Sequence, residues 1–300
     1  MFRPGTPSIE QLRTFLAVVE EGSFAAAGRR LNRATSVVSY AIANLEGLLG
    51  VRVFVRQGTR RPVLTPAGEA VLAEARVIER GLDGLRARIS GLAAGLEPEV
   101  ALAVDVMFPS DALAAALREF AADYPTVALT VRIEGLGAVA DLVLRGEAMI
   151  GLAGPLAVEL PGLDAVQVGA DELVPVAAPT HPLAAAPLAP GAGRDHVQLV
   201  LTDRSDVTRG RSFSVVSPRT WRLADLGAKL ALLREGLGWG NMPRWMVADD
   251  LAAGRLVVLA MPEAPGGAYP LYTIHRSDTV PGPAARWLGT ALGRHLSHCP

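Results

Sequence analysis

The chain has 300 residues and a single cysteine, Cys299. No intrachain disulfide framework and no four-cysteine zinc site can therefore form. No apolar run approaches the roughly 18 residues that a bilayer span requires. Met1-Phe2-Arg3-Pro4-Gly5 has no apolar stretch before its first charge, so no secretory signal is expected. Aromatic residues make up only 5% of the chain, and lysine is nearly absent: of 29 basic side chains, Lys229 is the one that is not arginine. Also missing are the G-x-S-x-G elbow of a nucleophilic serine, an H-E-x-x-H zinc helix and a phosphate-binding P-loop. What remains is half apolar and one-fifth charged, enough for a substantial core. Length, composition and these absences describe a soluble, cytoplasmic, multi-domain protein with no cofactor, no metal and no membrane partner.

The net charge of −1 conceals two halves. Residues 1–95 carry 13 arginines against 8 acidic residues, and residues 96–300 carry 16 basic against 22 acidic ones. A basic segment joined to an acidic body suggests a polyanion-binding module with a separate partner domain.

Ser8-Ile9-Glu10-Gln11 has the form of a capping box, and Ile9, Leu12, Phe15, Leu16 and Val19 follow at helical spacing. Gly22 ends that helix, Ser23 caps a second over 24–31, and a third runs over about 35–49. The third helix has an apolar stripe of Val38, Ile42, Leu45 and Leu49, opposite a face of Ser36, Ser39, Tyr40, Ala43 and Asn44. Two short helices joined by a tight turn, the second showing small polar side chains, describe a helix-turn-helix. A hairpin is expected over 51–64, with Arg56, Arg60 and Arg61 beside its turn. After a helix-turn-helix such a wing contacts phosphates; a solvated hairpin with protective edge charges is the alternative.

From Phe15 to Gly68, the segments GSFAAAGRRLN, VVSYAIANLEGLLGVRVFVR and LTPAGE resemble, in order and nearly without gaps, the DNA-binding domain of LysR-type transcriptional regulators. The reading helix departs from the family: Ala34-Thr35-Ser36 stands where Ser-Gln-Pro is common, and Tyr40-Ala41 where Arg-Gln is usual. Two long side chains that make bidentate base contacts are thereby lost. The resemblance implies DNA contacts from Ser23, Arg29, Arg33, Thr35, Ser36, Ser39, Tyr40, Asn44, Arg56, Arg60 and Arg61, with base choice resting on Thr35, Ser36, Tyr40, Asn44 and groove shape.

Thr65-Pro66 starts a long helix reaching about Leu92. Val71, Ile78, Leu85 and Leu92 fill one heptad position, and Ala75, Leu82 and Ile89 the other. Such a double seam argues for a coiled-coil partner, or for an amphipathic helix packed on its own chain. The resemblance implies a linker helix that dimerises and assembly as a tetramer.

Beyond Gly95, strands and helices alternate, which predicts a largely parallel sheet with helices on both faces. Strands are expected near 100–106, 127–133, 149–153, 173–178, 197–201, 212–216, 256–259 and 269–275, with a closing helix over 284–296. The segments YPTVALTVRIEG, LVLRGEAMIGLAG, LVPVAAPTHPLA and LLREGLGWGNMP resemble the family's effector domain in order. The whole chain then reads as an α+β multi-domain protein. A winged helix-turn-helix covers 1–66 and a linker helix 67–95. A two-lobed α/β effector domain, like a periplasmic binding protein, covers 96–300, with lobe I near 96–165 and 268–300 and lobe II near 166–267.

Small molecules bind such folds at the cleft between strand ends. Candidate effector contacts are Met107, Phe108 and Ser110 after the first strand, Gly135, Thr202 and Arg204 facing them, and Trp221, Trp239 and Asn241. Arg204 would offer a fork to a carboxylate, and the tryptophans flat apolar surface suited to an aromatic ligand. Ser110 as a helix cap, Arg204 paired with Asp203 or Asp206, and the tryptophans as core are the alternatives. Gly135-Leu136-Gly137-Ala138-Val139-Ala140 fits G-x-G-x-x-A, but the next strand ends without the acidic residue a dinucleotide site needs. His295, His298 and Cys299 cluster at the end of the chain without the supporting residues of a metal site. The expected function is a ligand-responsive transcriptional regulator that binds double-stranded DNA and is not an enzyme. An enzyme or solute-binding protein using the first module only for assembly is the alternative.

Overall fold

The computed structural model describes residues 5–55, 61–185, 188–209 and 211–296, which divide into two compact units, Met1–Ser90 and Gly91–Pro300.

In the first unit, α1 (Ile9–Glu21) opens with the expected capping box: Ser8 Oγ accepts from Gln11 N while Gln11 caps back to Ser8 N. Gly22 closes α1 in the left-handed conformation, and Ser23 caps α2 (Phe24–Arg30) by accepting from Ala26 N. Arg33 N returns to Gly28 O, and a side chain at Gly28 would meet Arg33 O at 2.7 Å. Glycine therefore permits the tight turn into α3 (Thr35–Leu49). Leu12, Phe15, Leu16, Val18, Val38, Ile42 and Leu45 form the core with Val53 and Phe54. Segments 53–55 and 63–65 pair around an antiparallel bridge from Phe54 to Leu64, a shorter contact than the expected hairpin strands. Arg56 and Arg60 lie outside the described residues.

Thr65 Oγ1 accepts from Gly68 N and starts α4 (Pro66–Ala93). Val71, Leu72 and Ala75 pack into the first unit's core, whereas Ile78, Leu85, Ile89 and Leu92 are each about half exposed. The expected seam is thus split: its first turns are anchored on their own unit, and Ile78, Leu85, Ile89 and Leu92 belong to no core cluster among the described residues.

The second unit is built on a seven-stranded sheet and a separate two-stranded pair. β1 (Glu99–Asp105) pairs in parallel with β2 (Ala128–Glu134) and β3 (Ile150–Ala153). Helices α5 (Ser110–Asp123) and α6 (Ala138–Leu144) connect these strands, and α9 (Pro283–Leu296) packs beside α5 through Leu288, Ala291 and Leu292. The long strand β4 (Leu163–Ala177) runs antiparallel to β9 (Gly267–Arg276) over nearly the whole of β9, and β9 also joins β3. At its far end β4 carries β7 (Gly240–Pro243) and β8 (Val257–Val258), both antiparallel. β5 (Gln198–Leu201) and β6 (Thr220–Leu223) form the parallel pair, which meets the start of β7 through a bridge between Gln198 and Trp239. Helices α7 (Leu226–Arg234) and α8 (Arg244–Ala252) complete this lobe.

The expected largely parallel sheet is corrected to a mixed one, because two long antiparallel strands tie the lobes together. Periodicity found only the last third of β4, whose first ten residues mix half-buried and exposed positions and bury none fully. The strand expected over 212–216 is absent; those residues form bends and lean on Gln198, whose amide bonds Ser214 O, Val216 N and Ser217 N. Two short strands, β6 and β7, carry no periodicity of their own and were not foreseen.

Candidate DNA-reading face and effector cleft

The alternation on α3 decides where its polar side chains go. Val38, Ile42 and Leu45 are buried, and the same helix exposes Thr35, Ser36, Ser39, Tyr40 and Asn44. Tyr40 is 69% exposed, among the most open large side chains of the chain. These five residues share one solvent face. Arg29, at the end of α2, and Arg61 are also exposed. Arg33 pairs with Glu10, and Arg30 bonds Glu20 at 2.6 Å. Ser23 is already engaged as a helix cap. Hydroxyls, an amide and a phenol on a helix flanked by guanidinium groups offer donors and acceptors for base edges beside cations for phosphates.

A cavity of about 550 Å³ lies between the lobes of the second unit. Its volume is within the usual range for a small-molecule site. Met107, Leu136, Leu156, Leu173, Phe213 and Tyr269 give it an apolar wall. Leu136 holds a positive φ of 56°, a strained conformation for a branched side chain. Polar groups enter through Lys229 and Asn241. Lys229 is only 3% exposed, and its Nζ donates to the carbonyl oxygen of Asn241 at 2.6 Å. Burial pushes the Lys229 ammonium down to about 8. The Asn241 Oδ1 is buried with no hydrogen-bond partner among the described residues.

Asp105 ends β1 fully buried, accepting from Met107 N and Tyr269 Oη at 2.9 Å each. Burial raises its carboxyl to about 6 against the lowering effect of these donors, and the Tyr269 phenol is in turn raised well above its ordinary value. Further bonds cross between the lobes: Gly137 N to Asp203 Oδ2 at 3.1 Å, Trp245 Nε1 to Met107 O at 2.9 Å, and ion pairs Arg211–Glu159 and Arg204–Glu134.

Of the residues expected here, Met107 and Asn241 line the cavity. Phe108 and Trp239 do not. Phe108 packs into the core of β1, α5 and α9, and Trp239 is fully buried with its indole N–H on Gly193 O at 3.1 Å. A large ring fills the core at both places, so both expectations are corrected. Ser110 is exposed at the start of α5 and makes no capping bond. Gly135 and the exposed Trp221 stand outside the cavity lining, and Thr202 lines a smaller cavity of about 310 Å³ with Asp203. Arg204 is paired with Glu134 and Ala224 O, not with Asp203 or Asp206. The G-x-G-x-x-A turn already holds an anion, since Asp203 occupies its Gly137 N–H.

Sequence reasoning missed Lys229, Asp105 and Tyr269. Lys229 left a readable signal: it is the one lysine of the chain, placed on the apolar stripe of a helix. Asp105 closes an otherwise apolar strand. Tyr269 gives no signal, because only the return of β9 beside β3, one strand away from β1, brings it to Asp105. Among the described residues no group of His, Cys, Asp and Glu could hold a metal; His295 bonds Glu119, and His298 and Cys299 lie outside them. No described helix is long and apolar enough to cross a membrane.

Two family models match. Residues 9–69 match the bacterial regulatory helix-turn-helix protein, lysR family, and residues 93–297 match the LysR substrate binding domain. The chain is 30% identical to the probable HTH-type transcriptional regulator YhaJ of Escherichia coli over 263 residues, 84% of this chain and 86% of that protein. It is 29% identical to the HTH-type transcriptional activator AllS of Klebsiella pneumoniae over 256 residues, 83% and 93% of the two chains. Among solved structures it resembles full-length LysG from Corynebacterium glutamicum with bound effector Arg (TM-score 0.51, 22% identity, 96% of this chain and 98% of that one). It also resembles a cysteine mutant of OxyR from the same organism (TM-score 0.53, 20% identity, 97% and 92%). At these identities the two structures speak to the fold.

Proposed function

The chain belongs to the LysR family of transcriptional regulators, and on that premise we propose how it reads DNA and senses a ligand. Members of the family are non-enzymatic regulators that bind DNA and small-molecule effectors and form oligomers, and this chain is one of them.

In the proposed mechanism α3 lies in the major groove of double-stranded DNA. Thr35, Ser36, Ser39, Tyr40 and Asn44 meet base edges there, and Arg29, Arg33, Arg56, Arg60 and Arg61 meet phosphates. Phosphate contacts supply most of the affinity and make it fall with salt. One observation carries the reading: the polar face of α3 is open to solvent while its apolar stripe holds the core. With no Arg-Gln pair on that face, base choice depends on short hydroxyl and amide contacts and on groove shape.

The half-exposed Ile78, Leu85, Ile89 and Leu92 of α4 support a homodimer through this helix, because a run of apolar residues at heptad spacing is stable in water only against a partner. A tetramer built from two such dimers follows the family habit. The effector domain begins near residue 96, and its effector, a small carboxylate or aromatic molecule, occupies the cleft between the lobes. Its closure would change how effector domains pack and so shift half-site spacing and DNA bend. Cytoplasmic placement suits a protein that must reach the chromosome.

Gel shifts with the DNA upstream of its own gene test the first part. Ser36→Ala or Tyr40→Ala should change sequence preference, and uniform weakening on every sequence would count against base readout. Leu85→Glu should reduce the dimer by light scattering at micromolar concentration. An effector role for the cleft requires that filling it with Leu156→Trp abolish the promoter response in cells; an unaltered response would refute it.

A further inference from the structure

The cleft contains a charge that no described residue matches with a counter-ion. On α7 the buried positions are Leu226, Lys229, Leu230 and Leu233, so Lys229 stands on the apolar stripe where a leucine would complete the packing. An ammonium has three N–H donors. One reaches the Asn241 carbonyl, and no further bond from Nζ and no carboxylate partner is found among the described residues. The chain uses arginine 28 times and lysine here alone, so the placement is not a habit of composition. A compact point charge fits this narrow position, whereas a planar guanidinium needs room for its fork. The neighbouring β7 makes the room: a side chain at Gly240 would meet Lys229 Cε at 3.1 Å and Leu199 O at 2.5 Å. Beside the ammonium, Asn241 Oδ1 is buried and has no hydrogen-bond partner among the described residues. Both residues line the cavity, whose wall is mixed: Leu136, Leu156, Leu173 and Phe213 give it an apolar side, and Gln198, Arg211, Ser214, Glu159 and Glu263 a polar one.

We propose that Lys229 is the anchor of the effector site and selects a monoanionic organic acid whose carboxylate caps the ammonium while its branched or aromatic body fills the apolar wall. This rests on the reading of the cleft as the effector site and names the chemistry it accepts. Buried charge is tolerated when it is paired and hydrogen-bonded, and an incoming carboxylate supplies both the opposite charge and the missing acceptors. An amide of the same shape brings an acceptor without the charge and should bind weakly. The other charged groups on the lining are already engaged: Arg211 with Glu159, and Glu263 with Gly193 N.

The test compares shape-matched pairs of probes on the full-length protein: phenylacetate with phenylacetamide, and 4-methylpentanoate with 4-methylpentanamide. Titration calorimetry and thermal shift should give each acid at least a tenfold tighter affinity than its amide. Lys229→Met removes the charge at nearly constant length, and Lys229→Gln keeps a donor for the Asn241 carbonyl. Both should lower acid affinity at least tenfold and leave amide affinity unchanged. Equal binding of acid and amide, unchanged acid affinity in both variants, or no response of the wild type to either acid overturns the proposal. Equal binding that Leu156→Trp abolishes would overturn only the choice of an anion and would leave the cleft as an effector site.

Discussion

Helices α3 and α7 use the same amphipathic pattern and treat its polar residues in opposite ways. On α3 the stripe of Val38, Ile42 and Leu45 is uninterrupted, and the polar residues keep to the other face, in water. On α7 the polar residue sits inside the stripe, buried against β7 at the cavity wall. The first arrangement costs the fold nothing, since the solvated face is free to vary with the DNA it meets. The second costs stability, because an ammonium is held away from water. A surface site is written in the residues that the core ignores, and a buried site in a residue that the core would rather not have.

That contrast can be broken at several points. The largest effect belongs to the stripe of α3: Leu45→Ala should cost about 2–5 kcal/mol in chemical denaturation, while Tyr40→Ala should stay within about 0.5 kcal/mol. Comparable losses at the two positions would mean that the reading face is part of the core.

Next is the lysine. The unfolded chain keeps its Lys229 proton to about pH 10.5 and the folded chain only to about 8. Between these values the unfolded state binds more protons, so stability should rise with pH from about 8 to 10.5. At about 1.4 kcal/mol for each pH unit, the cost carried below pH 8 is roughly 3 kcal/mol. Lys229→Met should therefore stabilise the second unit at pH 7 and flatten this rise; a destabilised variant would show that the ammonium is structurally satisfied.

Asp105 gives a slightly smaller effect of opposite slope. Its carboxyl is released near pH 3.8 when unfolded and near 6 when folded, so stability should fall by roughly 2–3 kcal/mol as pH climbs through that window and stay level above it. Asp105→Asn should remove the slope, and its persistence would assign the pH dependence to another group. Ser23→Ala should cost about 1 kcal/mol through the lost cap of α2, whatever it does to DNA. At the small end, Arg29→Ala should leave stability within about 0.5 kcal/mol. It should lower the salt slope of DNA binding by about one, and an unchanged slope would remove Arg29 from the phosphate contacts.

Much of the first unit was legible in advance. Ser8, Ser23 and Thr65 act locally, through bonds to backbone N–H groups three residues away. Gly22 acts through its left-handed backbone and Pro66 through its fixed φ, and helix ends fell where these residues put them. The cleft was legible only in outline. Met107 and Asn241 were found because they sit in loops and short strands at the lobe boundary. Trp239 was misplaced because an aromatic residue looks alike in a core and in a pocket, and Phe108 because its place just after a strand does not say which way its ring turns. Lys229 was passed over because one charge in a helix is usually solvated.

Order along the chain, helix caps and the facing of α1 to α4 follow from near-neighbour forces, namely backbone hydrogen bonds and the 3.6-residue repeat, and these the amino-acid string sets unaided. Which residues share the cleft is decided by strand return. β9 comes back past β3 to lie along β4, bringing Tyr269 to Asp105 across 164 positions, and β7 lands beside α7 to enclose Lys229. Such long-range pairings arise from the competition of whole strands and helices for one hydrophobic core, and no local pattern encodes the outcome.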